Sequence, residues 1–130
     1  MRALLVEDHR LSRKLLKELL LEESVLTEVR EAGDGWEALA LLQEEEFDLA
    51  IVDIDLPFLD GISLIGKARS RKPRLPCLVM SALPAGESAA RAESVGAAFL
   101  PKGCAPEKIV DAVKSMAGRL GDENIEDPRP

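Results

Sequence analysis

The chain has 130 residues, 46% of them hydrophobic and 32% charged, a composition typical of one globular domain rather than a disordered, fibrous or coiled-coil chain. Its 24 acidic residues outnumber its 17 basic ones and give a net charge of −7, which repels nucleic-acid backbones and anionic membrane surfaces. We therefore predict a domain that binds neither nucleic acid nor a membrane directly.

The N-terminus and the reactive residue types narrow the function classes further. Met1–Asp8 reaches two acids before any signal-peptide core forms, and no later apolar run is long enough to span a membrane, so we expect a cytoplasmic protein. Cys77 and Cys104 fit neither a metal-binding spacing nor a disulfide framework. With His9 as its single histidine and no tyrosine, the chain excludes chemistry that needs several imidazoles or a phenol.

Along the chain, short apolar runs alternate with segments of helical period. Runs at 3–6, 49–52, 75–80 and 97–100 are typical of strands buried on both faces, whereas 26–32 alternates and predicts an edge strand. Residues 86–95 are rich in alanine and predict a loosely held helix. Apolar residues recur with a helical period in the other intervals: Leu11, Leu15, Leu16, Leu19 and Leu20; Leu39 and Leu42; Ile62, Leu64, Ile65 and Ala68; Ile109, Val113 and Met116.

Five strands alternating with five helices predict an α/β fold, a doubly wound five-stranded parallel sheet. The order 2-1-3-4-5, as in flavodoxin-like folds, places the alternating strand at an edge. We predict one domain over residues 1–120. Residues 121–130 lack an apolar period and end in Pro-Arg-Pro, which indicates a tail or linker.

Polar residues follow four of the predicted strands. Glu7 and Asp8 end the first, Asp53 the third, Ser81 the fourth and Lys102 the fifth, so all gather at the edge where such sheets bind ligands. Neighbouring carboxylates repel one another and favour a hard cation such as Mg²⁺, while a lysine and a hydroxyl can hold an anion. The pattern predicts a phosphoryl site, since a carboxylate can attack phosphorus. The alternative is that each acid merely caps a helix.

In this order, these residues resemble the response-regulator receiver domains of two-component signalling, from Met1 to about Leu120. The resemblance implies a receiver domain over 1–120 that is regulatory rather than an enzyme. It is carried by the segments Leu4–Asp8, Asp48–Pro57, Asp60–Gly61, Val79–Ala82 and Gly96–Lys102.

The resemblance also implies the site roles. Asp53 accepts a phosphoryl group, Asp8 and Asp53 bind Mg²⁺, Asp55 contributes its main-chain carbonyl, and Glu7 acts through water. The Asp55 side chain is an acid where apolar side chains are frequent, and we expect it to point to solvent.

By the same resemblance, Ser81 and Lys102 contact the phosphoryl oxygens, and Ser81 with Phe99 forms the switch. The phosphoryl donor is a histidine kinase or a histidine phosphotransfer protein. The prediction leaves open whether an output domain is fused or separate and whether the chain forms a homodimer.

Three other interpretations compete with this one. Asp53-Ile54-Asp55 is similar to the nucleophile motif of haloacid-dehalogenase-type phosphatases, but there the acidic pair follows the lysine and Pro57 would be threonine or valine. A docking module that is never phosphorylated is a second alternative. Gly33–Ala38 fits a dinucleotide-binding fingerprint, yet it follows the edge strand, so a tight turn into a helix is favoured.

Overall fold

The computed structural model describes residues 1–23, 26–83 and 85–126, with side chains through residue 118. In these ranges strands and helices alternate along the chain, as the changes of apolar period predict. The strands are β1 (Arg2–Val6), β2 (Glu28–Ala32), β3 (Leu49–Asp53), β4 (Cys77–Ser81) and β5 (Ala98–Pro101); the helices are α1 (Arg10–Glu23), α2 (Gly35–Glu44), α3 (Gly61–Arg69), α4 (Ala85–Ser94) and α5 (Pro106–Glu126).

The strands form one parallel sheet in the order β2-β1-β3-β4-β5, which confirms the predicted fold class and order. β2 lies at an edge and alternates in burial, as its sequence predicts. The register pairs Val6 with Val52 and Ser81 with Pro101. The carboxyl ends of the strands therefore lie side by side along one edge of the sheet.

Both faces of the sheet are buried, because successive strand residues point to opposite sides. Leu4 and Val6 of β1 join a core cluster with residues of α2, α3 and α4. Leu5 and its neighbour Ala3 join a second cluster with Leu20 of α1 and residues of α5. The sheet is thus sandwiched between two helical layers. β1, β3 and β4 are buried as their unbroken apolar runs predict, but β5 lies at the other edge and none of its residues is buried, so the prediction of burial on both faces is wrong for 97–100.

α1 buries less of its leucine-rich surface than its sequence suggests. Leu20 is buried and Leu16 is half-buried, but Leu11 and Leu15 are 59% and 56% exposed. Because successive residues are rotated by roughly 100° around the helix axis, Leu11 lies on the opposite side of the helix from Leu20. The leucines span too wide an arc for one helix to bury them all against a sheet.

Close contacts fix the starts of α2 and α3. Asp34 caps α2 by accepting the Glu37 N–H, so the glycine-rich segment is the tight turn that we favoured. At the start of α3, a Cβ on Gly61 would collide with the Asp53 carbonyl oxygen. In α4, by contrast, a Cβ on Gly86 would meet no described atom within 4 Å beyond its own stretch of helix.

α5 continues through Glu126, so the boundary predicted after residue 120 falls inside a helix. Residues 127–130 of the predicted tail lie outside the described residues. The division into a receiver domain and a tail stays a prediction. Among the described helices, none is both long enough and apolar enough to cross a membrane.

Candidate functional site

Three carboxylates meet where the two central strands end. Glu7 follows β1, Asp8 comes next in the chain, and Asp53 is the last residue of β3. One oxygen from each lies within 4.8 Å of the others. Glu7 and Asp53 are only 5% and 4% exposed, whereas Asp8 is exposed. The structure therefore brings together the acids that the strand ends place at one edge.

The Lys102 ammonium lies between two of these acids. Its Nζ donates to Asp53 Oδ2 at 2.7 Å and lies 2.8 Å from Glu7 Oε1. The backbone supports this position, since the Lys102 N–H donates to the Ser81 carbonyl oxygen at 2.9 Å. One cation beside two buried carboxylates leaves a net negative charge, to which Asp8 adds.

Burial and charge together shift the pKa values in this cluster. Removal from water raises the pKa of Glu7, and the Asp53 charge adds to the shift, although hydrogen bonds from Lys102 and the His9 N–H oppose it. Burial lowers the pKa of Lys102, but its hydrogen bonds to Asp53 and Glu7 and their charges outweigh burial and raise it overall. Lys102 is therefore a cation at neutral pH.

Asp55 connects Asp53 to Ser81. The Asp55 N–H donates to Asp53 Oδ1 at 2.9 Å, and its side-chain Oδ2 accepts the Ser81 hydroxyl at 3.2 Å. Ser81 Oγ also accepts the Leu83 N–H at 3.0 Å. The expectation that the Asp55 side chain points to solvent is right about its exposure but misses this contact with Ser81.

His9 and Arg13 support the acidic edge without belonging to it. His9 Nδ1 accepts the Ser12 N–H at 3.3 Å, so His9 caps α1, and its own N–H donates to Glu7 Oε2 at 3.1 Å. Arg13 Nη1 donates to the Glu7 carbonyl oxygen at 2.8 Å. We assigned neither residue a role from the sequence. The position of His9 just before the first helical residue is the sequence signal that could have indicated its capping role.

Two phenylalanines lie near the site on different elements. Phe99 of β5 pairs with Val79 of β4, is half-buried and packs against the core cluster that includes Ala92 of α4. Phe58, in the loop after β3, is 88% exposed and has a φ of 68°, a left-handed conformation that is uncommon for a bulky residue. Phe99 was predicted from the sequence, whereas no sequence signal marks Phe58.

This architecture defines a class of signalling protein. A parallel sheet of order 2-1-3-4-5 that carries acids, a serine and a lysine along its carboxyl edge is the architecture of receiver domains. Residues 3–114 match the family described as the response regulator receiver domain. The chain belongs to this family, which confirms the resemblance seen in its motifs. It is a regulatory domain of two-component signal transduction.

Curated relatives are longer than this chain. It is 38% identical to the transcriptional activator protein ExaE of Pseudomonas putida, over 96% of this chain and 58% of ExaE. It is 37% identical to the response regulator protein FleR of Pseudomonas aeruginosa, over 98% of this chain and 27% of FleR. The chain therefore spans 27% to 58% of the length of these two relatives.

Solved structures share the fold over most of the chain. A CheY-like response regulator receiver domain protein from Methanospirillum hungatei superposes with a TM-score of 0.86 at 28% identity, covering 94% of this chain and 97% of that one. The chemotaxis protein CheY4 of Vibrio cholerae gives a TM-score of 0.80 at 27% identity, covering 88% and 97%. Receiver domains thus match the fold nearly from end to end.

Proposed function

We propose that this chain accepts a phosphoryl group on Asp53 from a phosphohistidine of a histidine kinase or a histidine phosphotransfer protein. One observation supports this above all: Asp53 is a buried carboxylate whose two oxygens are each held by one donor. Oδ1 accepts the Asp55 N–H and Oδ2 accepts Lys102 Nζ. These bonds fix the plane of the carboxylate, and each oxygen keeps a further lone pair for attack.

In the transfer, an Asp53 oxygen forms a bond to phosphorus while the P–N bond of the phosphohistidine breaks. The electron pair of that bond stays on the imidazole, and a proton taken up by the ring keeps the leaving group neutral. Lys102, already 2.7 Å from Asp53 Oδ2, compensates charge on the phosphoryl oxygens. The Ser81 hydroxyl donates to one of those oxygens once it turns toward Asp53.

Mg²⁺ fits this site by the chemistry of its donors. Glu7, Asp8 and Asp53 offer hard oxygen ligands within 4.8 Å of one another, with no imidazole or thiol in that trio. As the family resemblance implies, Asp8, Asp53 and the Asp55 main-chain carbonyl would hold the ion directly, and Glu7 would act through water. When bound, the ion supplies positive charge to the phosphoryl oxygens.

Ser81 and Phe99 are proposed to pass the phosphorylated state to the surface formed by α4, β5 and α5. Phe99 is half-buried rather than fixed in the core, and in this proposal it moves inward when Ser81 turns toward Asp53. α4 turns only small residues, Ser88 and Ala92, into the buried layer, which favours its displacement.

An output domain, fused or separate, reads that surface in this proposal. ExaE carries the name of a transcriptional activator and is longer than this chain, which supports a fused arrangement. The net charge of −7 makes direct nucleic-acid binding by this domain itself unfavourable. We also propose that two copies of this chain pair through the surface formed by α4, β5 and α5.

The test is phosphorylation by acetyl phosphate in the presence of Mg²⁺, read by intact mass spectrometry. We expect wild type to gain one phosphoryl group, Asp53→Asn to gain none, and removal of Mg²⁺ with a chelator to abolish the gain. The control is Asp111→Asn, an exposed aspartate on α5 that should behave like wild type. An Asp53→Asn variant that gains the group as well as wild type does would refute the proposal.

The same assay tests the docking-module alternative, and the family match bears on the phosphatase alternative. A docking module that is never modified would show no mass gain in wild type. A haloacid-dehalogenase-type phosphatase is disfavoured by the family match over residues 3–114 and by the acidic pair, which precedes Asp53 in the chain.

A further inference from the structure

The Ser81 hydroxyl is held on two sides. It donates to Asp55 Oδ2 at 3.2 Å and accepts the Leu83 N–H at 3.0 Å. Ser81 is 1% exposed, so bulk water offers it no easy alternative partner. A serine hydroxyl has a single proton to donate, and here the Asp55 carboxylate accepts that hydrogen bond.

We propose that Asp55 is a positioning residue, whose carboxylate competes with the phosphoryl group for the Ser81 proton. This inference rests on the proposed phosphorylation of Asp53. A phosphoryl oxygen on Asp53 can accept a hydrogen bond from the Ser81 hydroxyl only after the hydrogen bond from Ser81 to Asp55 breaks. Both acceptors are anionic, so one charge-assisted hydrogen bond is exchanged for another. Asp55 thereby favours the unphosphorylated arrangement of Ser81.

The backbone keeps Asp55 in place for this competition. Its N–H donates to Asp53 Oδ1 at 2.9 Å, so its side chain starts beside the phosphoacceptor and reaches across to Ser81 on the neighbouring strand. The two ends of the Asp55 residue therefore contact the two groups that the phosphoryl transfer brings together.

Leu83 extends the effect beyond the site. Its N–H loses an acceptor when the Ser81 hydroxyl turns toward Asp53, and its side chain is 53% exposed in the loop that precedes α4. When the Ser81 hydroxyl turns from Asp55 toward Asp53, the Leu83 N–H therefore needs a new acceptor. The competition between Asp55 and the phosphoryl group for the Ser81 hydroxyl therefore determines how readily this loop rearranges.

A double-mutant cycle with beryllofluoride, a phosphoryl mimic, tests the inference on the full chain in saturating Mg²⁺. The apparent Kd is measured by amide NMR for wild type, Asp55→Ala, Ser81→Ala and the double variant. We expect Asp55→Ala to tighten binding by about tenfold or more in the wild-type background, because one competing hydrogen bond to a charged group is removed. In the Ser81→Ala background we expect less than about a twofold change.

Before any beryllofluoride is added, Asp55→Ala should shift the Leu83 amide resonance, since the acceptor of that N–H loses its own partner. Equal tightening in both Ser81 backgrounds would show simple charge repulsion and overturn the inference. An unchanged Leu83 resonance would also overturn it. A wild-type chain that neither binds beryllofluoride nor gains a phosphoryl group would refute the proposed function instead, and the inference with it.

Discussion

Lys102 already has two anionic partners before any phosphoryl group arrives. Its Nζ lies 2.7 Å from Asp53 Oδ2 and 2.8 Å from Glu7 Oε1. In the proposed transfer, a phosphoryl oxygen therefore does not meet an unpaired cation: it accepts the third N–H of the ammonium or displaces one of the two carboxylates.

Cys77 gives a pH-dependent prediction at a single residue. Burial raises the pKa of its thiol from 9.0 to about 11, although the charge of Arg69 opposes the shift. The folded state keeps the proton that the unfolded state loses, so the contribution of Cys77 to stability is complete below pH 9 and is lost as the pH rises toward 11. We expect the free energy of unfolding to fall by at most about 2 to 3 kcal/mol over this range.

The measurement is urea unfolding at several pH values between 8 and 11 for wild type, Cys77→Ala and Cys104→Ala. The Cys77 variant should be less stable throughout because it leaves a small cavity, but its stability should depend less on pH. Cys104 is half-buried and its variant should follow the wild-type slope. Parallel curves for wild type and Cys77→Ala would contradict the prediction.

Individual site residues were predictable where a strand ends in a polar residue. Asp53 and Lys102 follow this rule, because parallel strands end at a common edge. The Asp55–Ser81 hydrogen bond was not predictable, since it joins side chains 26 residues apart and depends on their rotamers. The left-handed backbone of Phe58 was hidden for a related reason, because no glycine or asparagine marks that position.

Among the elements, α3 is tied to the segments that precede β4 and β5 by one side chain. The Arg69 guanidinium donates to four main-chain carbonyl oxygens, at distances of 2.6 to 3.0 Å. They belong to Pro73, Leu75, Val95 and Gly96, so the segment before β4 and the segment before β5 are both fastened to α3. The planar fork of arginine suits such a set of acceptors better than an ammonium group does.

We expect Arg69→Ala to lower the free energy of unfolding by about 2 to 4 kcal/mol, since several hydrogen bonds to a charged donor are lost together. Arg69→Lys should recover only a small part of that loss, because an ammonium cannot reach the separated carbonyls at once. Urea unfolding at neutral pH measures both variants.

The matched control is Arg71→Ala, an exposed arginine just beyond the same helix, for which we expect a change within about 0.5 kcal/mol. If Arg69→Lys were as stable as wild type, the geometry of the fork would not matter, and the explanation given for α3 would be wrong.

At the scale of the whole molecule, the chain is acidic, and three of its carboxylates lie close together at the sheet edge, where a cation can compensate their charge. The net charge is −7, and three carboxylates lie within 4.8 Å of one another at the sheet edge. We expect Mg²⁺ to stabilise the fold by about 1.4 kcal/mol at ten times its Kd, because it binds the folded state alone. For a domain of this size, the melting temperature should rise by about 4 °C.

Thermal unfolding followed by circular dichroism, with Mg²⁺ or with a chelator at matched ionic strength, measures this effect. Asp8→Ala should be more stable than wild type without the metal, because one repelling carboxylate is gone, and should lose most of the response. Asp111→Ala, exposed on α5, should keep it. An undiminished response in Asp8→Ala would remove Asp8 from the metal site.

The global fold was largely predictable from the sequence. Buried parallel strands appear as unbroken apolar runs such as 49–52, and the alternating β2 falls at the edge as expected. The extent of helix burial was harder, as Leu11 and Leu15 show. Periodicity reports that a helix has an apolar side, but the width of the buried arc depends on how closely the helix packs against the sheet.

The contrast between Gly61 and Gly86 gives the site a stiff side and a compliant side. α3 begins in close contact with the main-chain carbonyl of Asp53, so the start of this helix has no room to move toward β3. Gly86 is exposed, and a Cβ there would meet no described atom outside its own helix and chain neighbours, so the start of α4 lacks such a contact. If Asp53 is phosphorylated as proposed, we expect α4 rather than the start of α3 to be displaced, so the unmodified packing already sets the direction of the response before any partner binds.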